Sequence, residues 1–215
     1  MTPHVAVLIP SAGQRALANL ARDAIAKFTE DVSHEVWLLD TAPDLAHGSE
    51  ANGRALDRMI RAAESWVKHR PPRVSHVFCM HDDALPTRAG WLPYLLGKPA
   101  QVAGVKASER TGFPHASGVL FDMEFALMHS MLPDLPKRDA AEWAGWCAHS
   151  HCHRQDCGDC PRSWWAAFDC DVSLWRAVAP SSPWEDFYVH FGGGSLNNRP
   201  DTAAWIAAAR KALEL

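Results

Sequence analysis

Three short apolar runs, each cut off by a break in character, constrain this chain most. Residues 5–9 (Val-Ala-Val-Leu-Ile) end at Pro10, residues 35–39 (Glu-Val-Trp-Leu-Leu) end at Asp40, and residues 75–80 (Ser-His-Val-Phe-Cys-Met) end at His81-Asp82-Asp83. Apolar runs of this length without alternation predict strands buried on both faces. Between them, residues 14–30 set Leu17, Leu20, Ala24, Ile25 and Phe28 on one helical stripe. Residues 52–69 do the same with Leu56, Met59, Ile60, Ala63 and Val67, until Pro71 and Pro72 stop the helix. Strand, helix, strand, helix, strand is the order of a parallel sheet with right-handed crossovers. Ligands in such sheets sit beyond the carboxyl ends of the strands. Two of the three ends here, Asp40 and His81-Asp82-Asp83, are acidic.

The second half is less regular. Residues 102–106, 117–121 and 187–190 predict strands, residues 123–131 a short helix, and residues 202–213 a closing helix with Asp201 as its N-cap. Residues 133–161, rich in Trp, His and Cys, read as an insertion or long loop. A chain of 215 residues suffices for one sizeable core. The expectation is one catalytic domain over 1–215, with a nucleotide-binding half (1–100) and an acceptor or catalytic half (101–215). The net charge of -4 argues against a general nucleic-acid binder with a broad basic surface. The opening MTPHVAVLIPSAG has no basic leader, and no apolar stretch is long enough to span a bilayer, so the expected location is cytoplasmic.

The turn after the first strand carries neither a Gly-rich dinucleotide fingerprint nor the Gly-Lys-Ser/Thr end of a P-loop. The strand ends offer acid instead. Carboxylates repel a diphosphate, but they bind one through a hard divalent cation, Mn²⁺ or Mg²⁺. Such a cation also stabilises a diphosphate leaving group as charge builds on it.

Residues 78–92, FCMHDDALPTRAGWL, resemble the Asp-x-Asp segment of GT-A glycosyltransferases, family 2 in particular: an apolar strand, an acidic turn, a Pro, then Gly-Trp-Leu. Residues 7–11 are similar to that family's opening strand, 52–54 to its segment leading toward the third strand, 117–121 to its small-residue strand beside the donor sugar, and 189–195 to its late His-plus-glycine segment. The resemblance implies an α/β fold of GT-A, Rossmann-like type: a mostly parallel sheet flanked by helices, here with a Cys/His-rich insertion. It implies transfer of a sugar, with inversion, from a nucleotide-diphosphate sugar to an acceptor hydroxyl on a saccharide, a lipid or a hydroxymethylated DNA base. It assigns Asp83 and His190 to the cation, Pro10, Ser11, Asp40 and Asp82 to the nucleotide donor, and Asp171 or Asp169 to the base that deprotonates the acceptor. Arg199 is a candidate for a donor phosphate, and residues 192–194 would let the backbone close over the phosphates. His81 fills the place of the family's first acid and is not assigned as a ligand.

A second signal lies apart. Five of the six cysteines fall between Cys147 and Cys170. Cys157-x-x-Cys160 has the spacing of a zinc half-site, and Cys152 with His149, His151 or Cys147 would complete four ligands for a structural Zn²⁺ in a loop over 147–160. Thiolates prefer Zn²⁺ to Mg²⁺, so this would be separate from the catalytic cation. Trp164 and Trp165 are candidates for an acceptor groove. The competing readings are a nucleotidyltransferase, which usually shows a basic Gly-rich loop where this chain has only Gly13 and Arg15, and a non-catalytic zinc-stapled binding module.

Overall fold

The computed structural model describes residues 2–11, 13–40, 55–56, 58–65, 72–99, 102–105, 117–130, 168–170, 184, 186–192 and 201–215; residues 128–130 and 168–170 are described by backbone alone. The element order is β1 (His4–Ser11), α1 (Arg15–Phe28), β2 (Ser33–Asp40), helical residues within 55–65, β3 (His76–Met80), β4 (Ala84–Pro86), α2 (Trp91–Leu96), β5 (Val102–Gly104), β6 (Gly118–Asp122), α3 (Met123–Ser130), β7 (Phe168–Cys170), β8 (Tyr188–His190) and α4 (Thr202–Leu213). A six-stranded sheet has the order β2-β1-β3-β6-β5-β7, and β4 and β8 form a second, two-stranded sheet.

The sheet is mainly parallel. β1 runs parallel to β2 and β3, and β5 parallel to β7, while β6 lies antiparallel to both β3 and β5. Helices cover both faces, which is why β1 is buried along its whole length. Val5, Val7 and Ile9 pack with Leu20, Ala24 and Ile25 of α1. Ala6 and Leu8 face the other way, onto Leu56, Met59 and Ile60 and toward Phe125 of α3. The helical spacing read from the sequence is therefore the spacing that closes the core on each face.

Four features differ from the sequence reading. β2 is not buried on both faces: it lies at one end of the strand order, none of its residues is buried, and Leu38 is 40% exposed. β4 and α2 occupy a stretch read only as a turn and a motif, and β7 falls just after the segment read as an insertion. Asp201 stands at the N-cap of α4, but its side chain makes no cap hydrogen bond. Asp122 does cap a helix, with Oδ1 accepting from the backbone N–H groups of Glu124 at 2.9 Å and Phe125 at 3.2 Å. Among the described residues no helix is long and apolar enough to cross a membrane.

Candidate metal centre at the strand ends

His81, Asp82 and Asp83 form the turn between β3 and β4, closed by a hydrogen bond from Ala84 N–H to the His81 carbonyl at 3.3 Å. The turn leads directly into β4, which pairs antiparallel with β8 and sets Ala84 opposite His190. Phe191 N–H extends the pairing, donating to the Asp83 carbonyl at 2.9 Å. A histidine from late in the chain is thus delivered to the acidic turn by backbone register, and its Nε2 lies 3.2 Å from Asp83 Oδ1. His81 Nδ1 is 3.9 Å from the same oxygen. The two imidazoles meet edge to face, with ring centroids 5.6 Å apart. One ligand atom from each of His81, Asp83 and His190 lies within 4.8 Å of the others.

The strand carrying His190 is well supported. Tyr188 is buried, donates its hydroxyl hydrogen to the Ser117 carbonyl at 2.7 Å, and meets the rings of Phe78 and Trp91. Burial, with the charge of Asp83 as a second cause, pushes the Tyr188 phenol well above its ordinary pKa, so it stays a neutral donor. On the other side of His190, Phe191 stacks on Trp205 of α4 at 4.7 Å between centroids. The helix α4 is itself tied to α1 through Arg210 and Asp23 at 2.9 Å and through Lys27 Nζ, which donates to the Leu213 carbonyl at 2.7 Å. Anchoring the strand on both sides of a ligand residue holds its backbone in place, as a preorganised site requires.

Asp82 and Asp83 are each 1% exposed. Burying two adjacent carboxylates is expensive unless positive charge and donors compensate. Part of the compensation for Asp82 is Ser11 at the end of β1, whose Oγ donates to Asp82 Oδ2 at 2.9 Å. For Asp83 the facing groups include the two imidazoles, and both donate to a carboxylate only when they carry the right proton. Imidazole nitrogens and a carboxylate oxygen gathered on one point also form a donor set that a divalent transition ion accepts. Ligands bound at about 2.1 Å on one side of an ion lie about 3 Å apart, close to the His190–Asp83 separation, so the residues fit a cation.

Of the expected donor-binding residues, Pro10, Ser11, Asp40 and Asp82 are among the described ones. Ser11 and Asp40 are register partners at the ends of β1 and β2, and Pro10 precedes Ser11 in the buried strand. The Asp40 carboxylate lies 3.9 Å from Arg15 at the start of α1, both side chains well exposed. Asp169 is on β7 opposite Ala103. Asp171, Arg199, the glycines at 193–194, Trp164 and Trp165, and the zinc candidates Cys147, His149, His151, Cys152, Cys157 and Cys160 lie outside the described residues. The sequence assigns His81 no ligand role, because it departs from the acidic motif, yet the structure brings it into the cluster with Asp83 and His190. The signal that would have found it is chemical: His is itself a metal-ligand type standing at the motif's first position.

No protein-family profile matches the chain, and no curated protein matches it. Solved structures do. A glycosyltransferase involved in the glycosylation of the major capsid of PBCV-1 is similar over 99% of this chain and 99% of its own, at 11% identity and TM-score 0.58. The galactosyltransferase LgtC, solved with donor and acceptor sugar analogs, is similar over 98% and 95%, at 8% identity and TM-score 0.50. A mutant of Drosophila β1,4-galactosyltransferase 7, solved with manganese, UDP-Gal and xylobiose, is similar over 95% and 79%, at 11% identity and TM-score 0.50. The chain has the GT-A-type fold of these structures.

Proposed function

We propose that the protein is a metal-dependent glycosyltransferase that moves a sugar from a nucleoside-diphosphate sugar to an acceptor hydroxyl, with inversion. The observation that carries this reading is the meeting of His81, Asp83 and His190 at the carboxyl ends of the strands of a GT-A-type sheet. Manganese, UDP-Gal and xylobiose in one structural neighbour, and donor and acceptor sugar analogs in another, support it.

In this reading Asp83 and His190 hold Mn²⁺ or Mg²⁺. When bound, the cation neutralises the donor diphosphate and stabilises it as a leaving group. Asp40 anchors the nucleoside, and Pro10 and Ser11 line the donor at the end of β1. The Ser11 hydroxyl also donates to Asp82 within the ligand turn, which orients that carboxylate. Asp169 or Asp171 takes the acceptor proton, and Arg199 meets a phosphate. The order of the late segments in the sequence supports these last roles. A structural Zn²⁺ in residues 147–160 is an independent part of the reading, supported by the Cys-x-x-Cys spacing. The acceptor is a hydroxyl on a saccharide, a lipid or a modified nucleic acid.

A panel of sugar nucleotides incubated with the protein and Mn²⁺, scored by release of nucleoside diphosphate, tests the activity. One donor should be turned over, with the release suppressed by EDTA. Turnover of nucleoside triphosphates with pyrophosphate release, and of no sugar nucleotide, would identify a nucleotidyltransferase instead.

A further inference from the structure

The ligand turn holds an imidazole where the resembling family has its first acid, and the geometry gives that imidazole a place in the cluster. His81 Nδ1 lies 3.9 Å from Asp83 Oδ1, on the same oxygen that His190 Nε2 approaches at 3.2 Å. The His81 side chain is 26% exposed against 10% for His190, so it forms the open side of the cluster. The remaining acid of the turn, Asp82, accepts the Ser11 hydroxyl on its Oδ2. Among the described residues, the group able to hold an ion therefore combines two imidazoles with one carboxylate.

We propose that His81 is a third cation ligand and the residue that sets ion selectivity, so that the centre takes first-row transition ions such as Mn²⁺, Co²⁺ and Zn²⁺ in strong preference to Mg²⁺ and Ca²⁺. The proposal rests on the reading of this cluster as a cation centre and deepens it. Mg²⁺ is a hard ion that gives up water reluctantly and takes carboxylate and phosphate oxygens; imidazole suits the transition ions. Two imidazoles and one carboxylate with further positions open is a donor set that transition ions favour. A centre with an acid at position 81 would instead present two hard oxygens and admit Mg²⁺. An imidazole at position 81 also adds a ligand without the negative charge that a third acid would bring to a turn already burying Asp82 and Asp83.

The test is direct binding to the full chain after chelator treatment. Free Mn²⁺ is followed by its electron paramagnetic resonance signal, and Mg²⁺, Ca²⁺ and Zn²⁺ are added as competitors. The wild-type protein should bind Mn²⁺ at least about tenfold more tightly than Mg²⁺ and yield it to Zn²⁺. His81→Ala should weaken Mn²⁺ by at least about tenfold. His81→Asp should keep Mn²⁺ but let Mg²⁺ compete about tenfold better than in wild type. Equal Mn²⁺ affinity in His81→Ala and wild type, or wild-type Mg²⁺ affinity matching Mn²⁺, overturns the proposal; the second comparison needs no variant. Because the readout is binding, the two readings fail separately. A chain with this selectivity that turns over no sugar nucleotide loses the glycosyltransferase reading alone. A chain that releases nucleoside diphosphate equally well with Mg²⁺ and Mn²⁺ loses the selectivity alone.

Discussion

His190 Nε2 stands 3.2 Å from Asp83 Oδ1, although the two residues come from opposite halves of the chain. The link between them is a backbone one. Strand β8 pairs with the three residues that follow Asp83, and Phe191 N–H donates to the Asp83 carbonyl. The candidate centre is therefore built by the pairing of two short strands, and whatever disturbs that pairing disturbs the ligands.

Gly118→Ala tests that dependence from below. A Cβ at position 118 would stand 2.8 Å from Val105 Cγ2, 3.0 Å from Phe78 Cζ and 3.1 Å from Tyr188 Cζ. All three are side chains in the core, so the variant should fold but lose about 1–3 kcal/mol of stability. Because Tyr188 carries β8, Mn²⁺ affinity should fall as well. Urea unfolding and Mn²⁺ titration of the same sample measure both effects.

Ser11→Ala removes the hydroxyl that donates to Asp82 Oδ2 in a buried setting. Losing one partner of a buried, charge-assisted hydrogen bond should cost about 1–3 kcal/mol. Ser11→Thr should recover part of it, since the hydroxyl returns. Thermal or urea unfolding of the three proteins checks the order wild type, then Thr, then Ala.

Much of this framework was readable in the chain, and the misses have physical causes. The runs at 5–9 and 75–80 are apolar on both faces because both faces are covered, and there the pattern and the burial agree. The run at 35–39 looks the same but forms an end strand, because strand order is set by which neighbours pair and not by local composition. Residues 84–86 become a strand only because residues 188–190 arrive to pair with them; three residues ending in Pro86 carry no periodic signal of their own. Asp83, His190 and His81 are all legible as ligand residue types, whereas their meeting depends on the pairing of β4 with β8, which local sequence does not carry. Asp122 stands directly ahead of a helical run, and its short carboxylate caps that helix, whereas Asp201 at the start of α4 makes no such side-chain bond.

That cap gives a further prediction. Asp122→Ala strips two backbone N–H groups of α3 of their acceptor. The expected loss is about 1 kcal/mol, read as a lower urea midpoint at unchanged slope. Asp122→Asn should lose less, since an amide oxygen still caps.

Acid sensitivity should trace in part to His76. Burial lowers its pKa below the ordinary 6.5, with the charge of Asp122 opposing, and the Ser75 hydroxyl lies 2.9 Å from its Nδ1. The unfolded chain then binds the proton more readily than the native one, so stability falls as pH drops through about 6.5 and levels off below the folded pKa. His76→Asn removes this titration. Between pH 7.5 and 5, urea unfolding should show wild type losing more stability than His76→Asn; equal losses would exclude the role.

The most direct test of the central claim is the affinity for a nucleoside diphosphate with and without Mn²⁺, measured by calorimetry on wild type and Asp83→Asn. If the turn and His190 hold the cation that the donor diphosphate needs, Mn²⁺ should tighten binding of GDP or UDP to the wild-type protein by at least about tenfold. Asp83→Asn should abolish that gain while retaining the wild-type fold by circular dichroism. Nucleoside diphosphate binding that is unaffected by Mn²⁺, or a Mn²⁺ effect that survives intact in Asp83→Asn, would contradict the account.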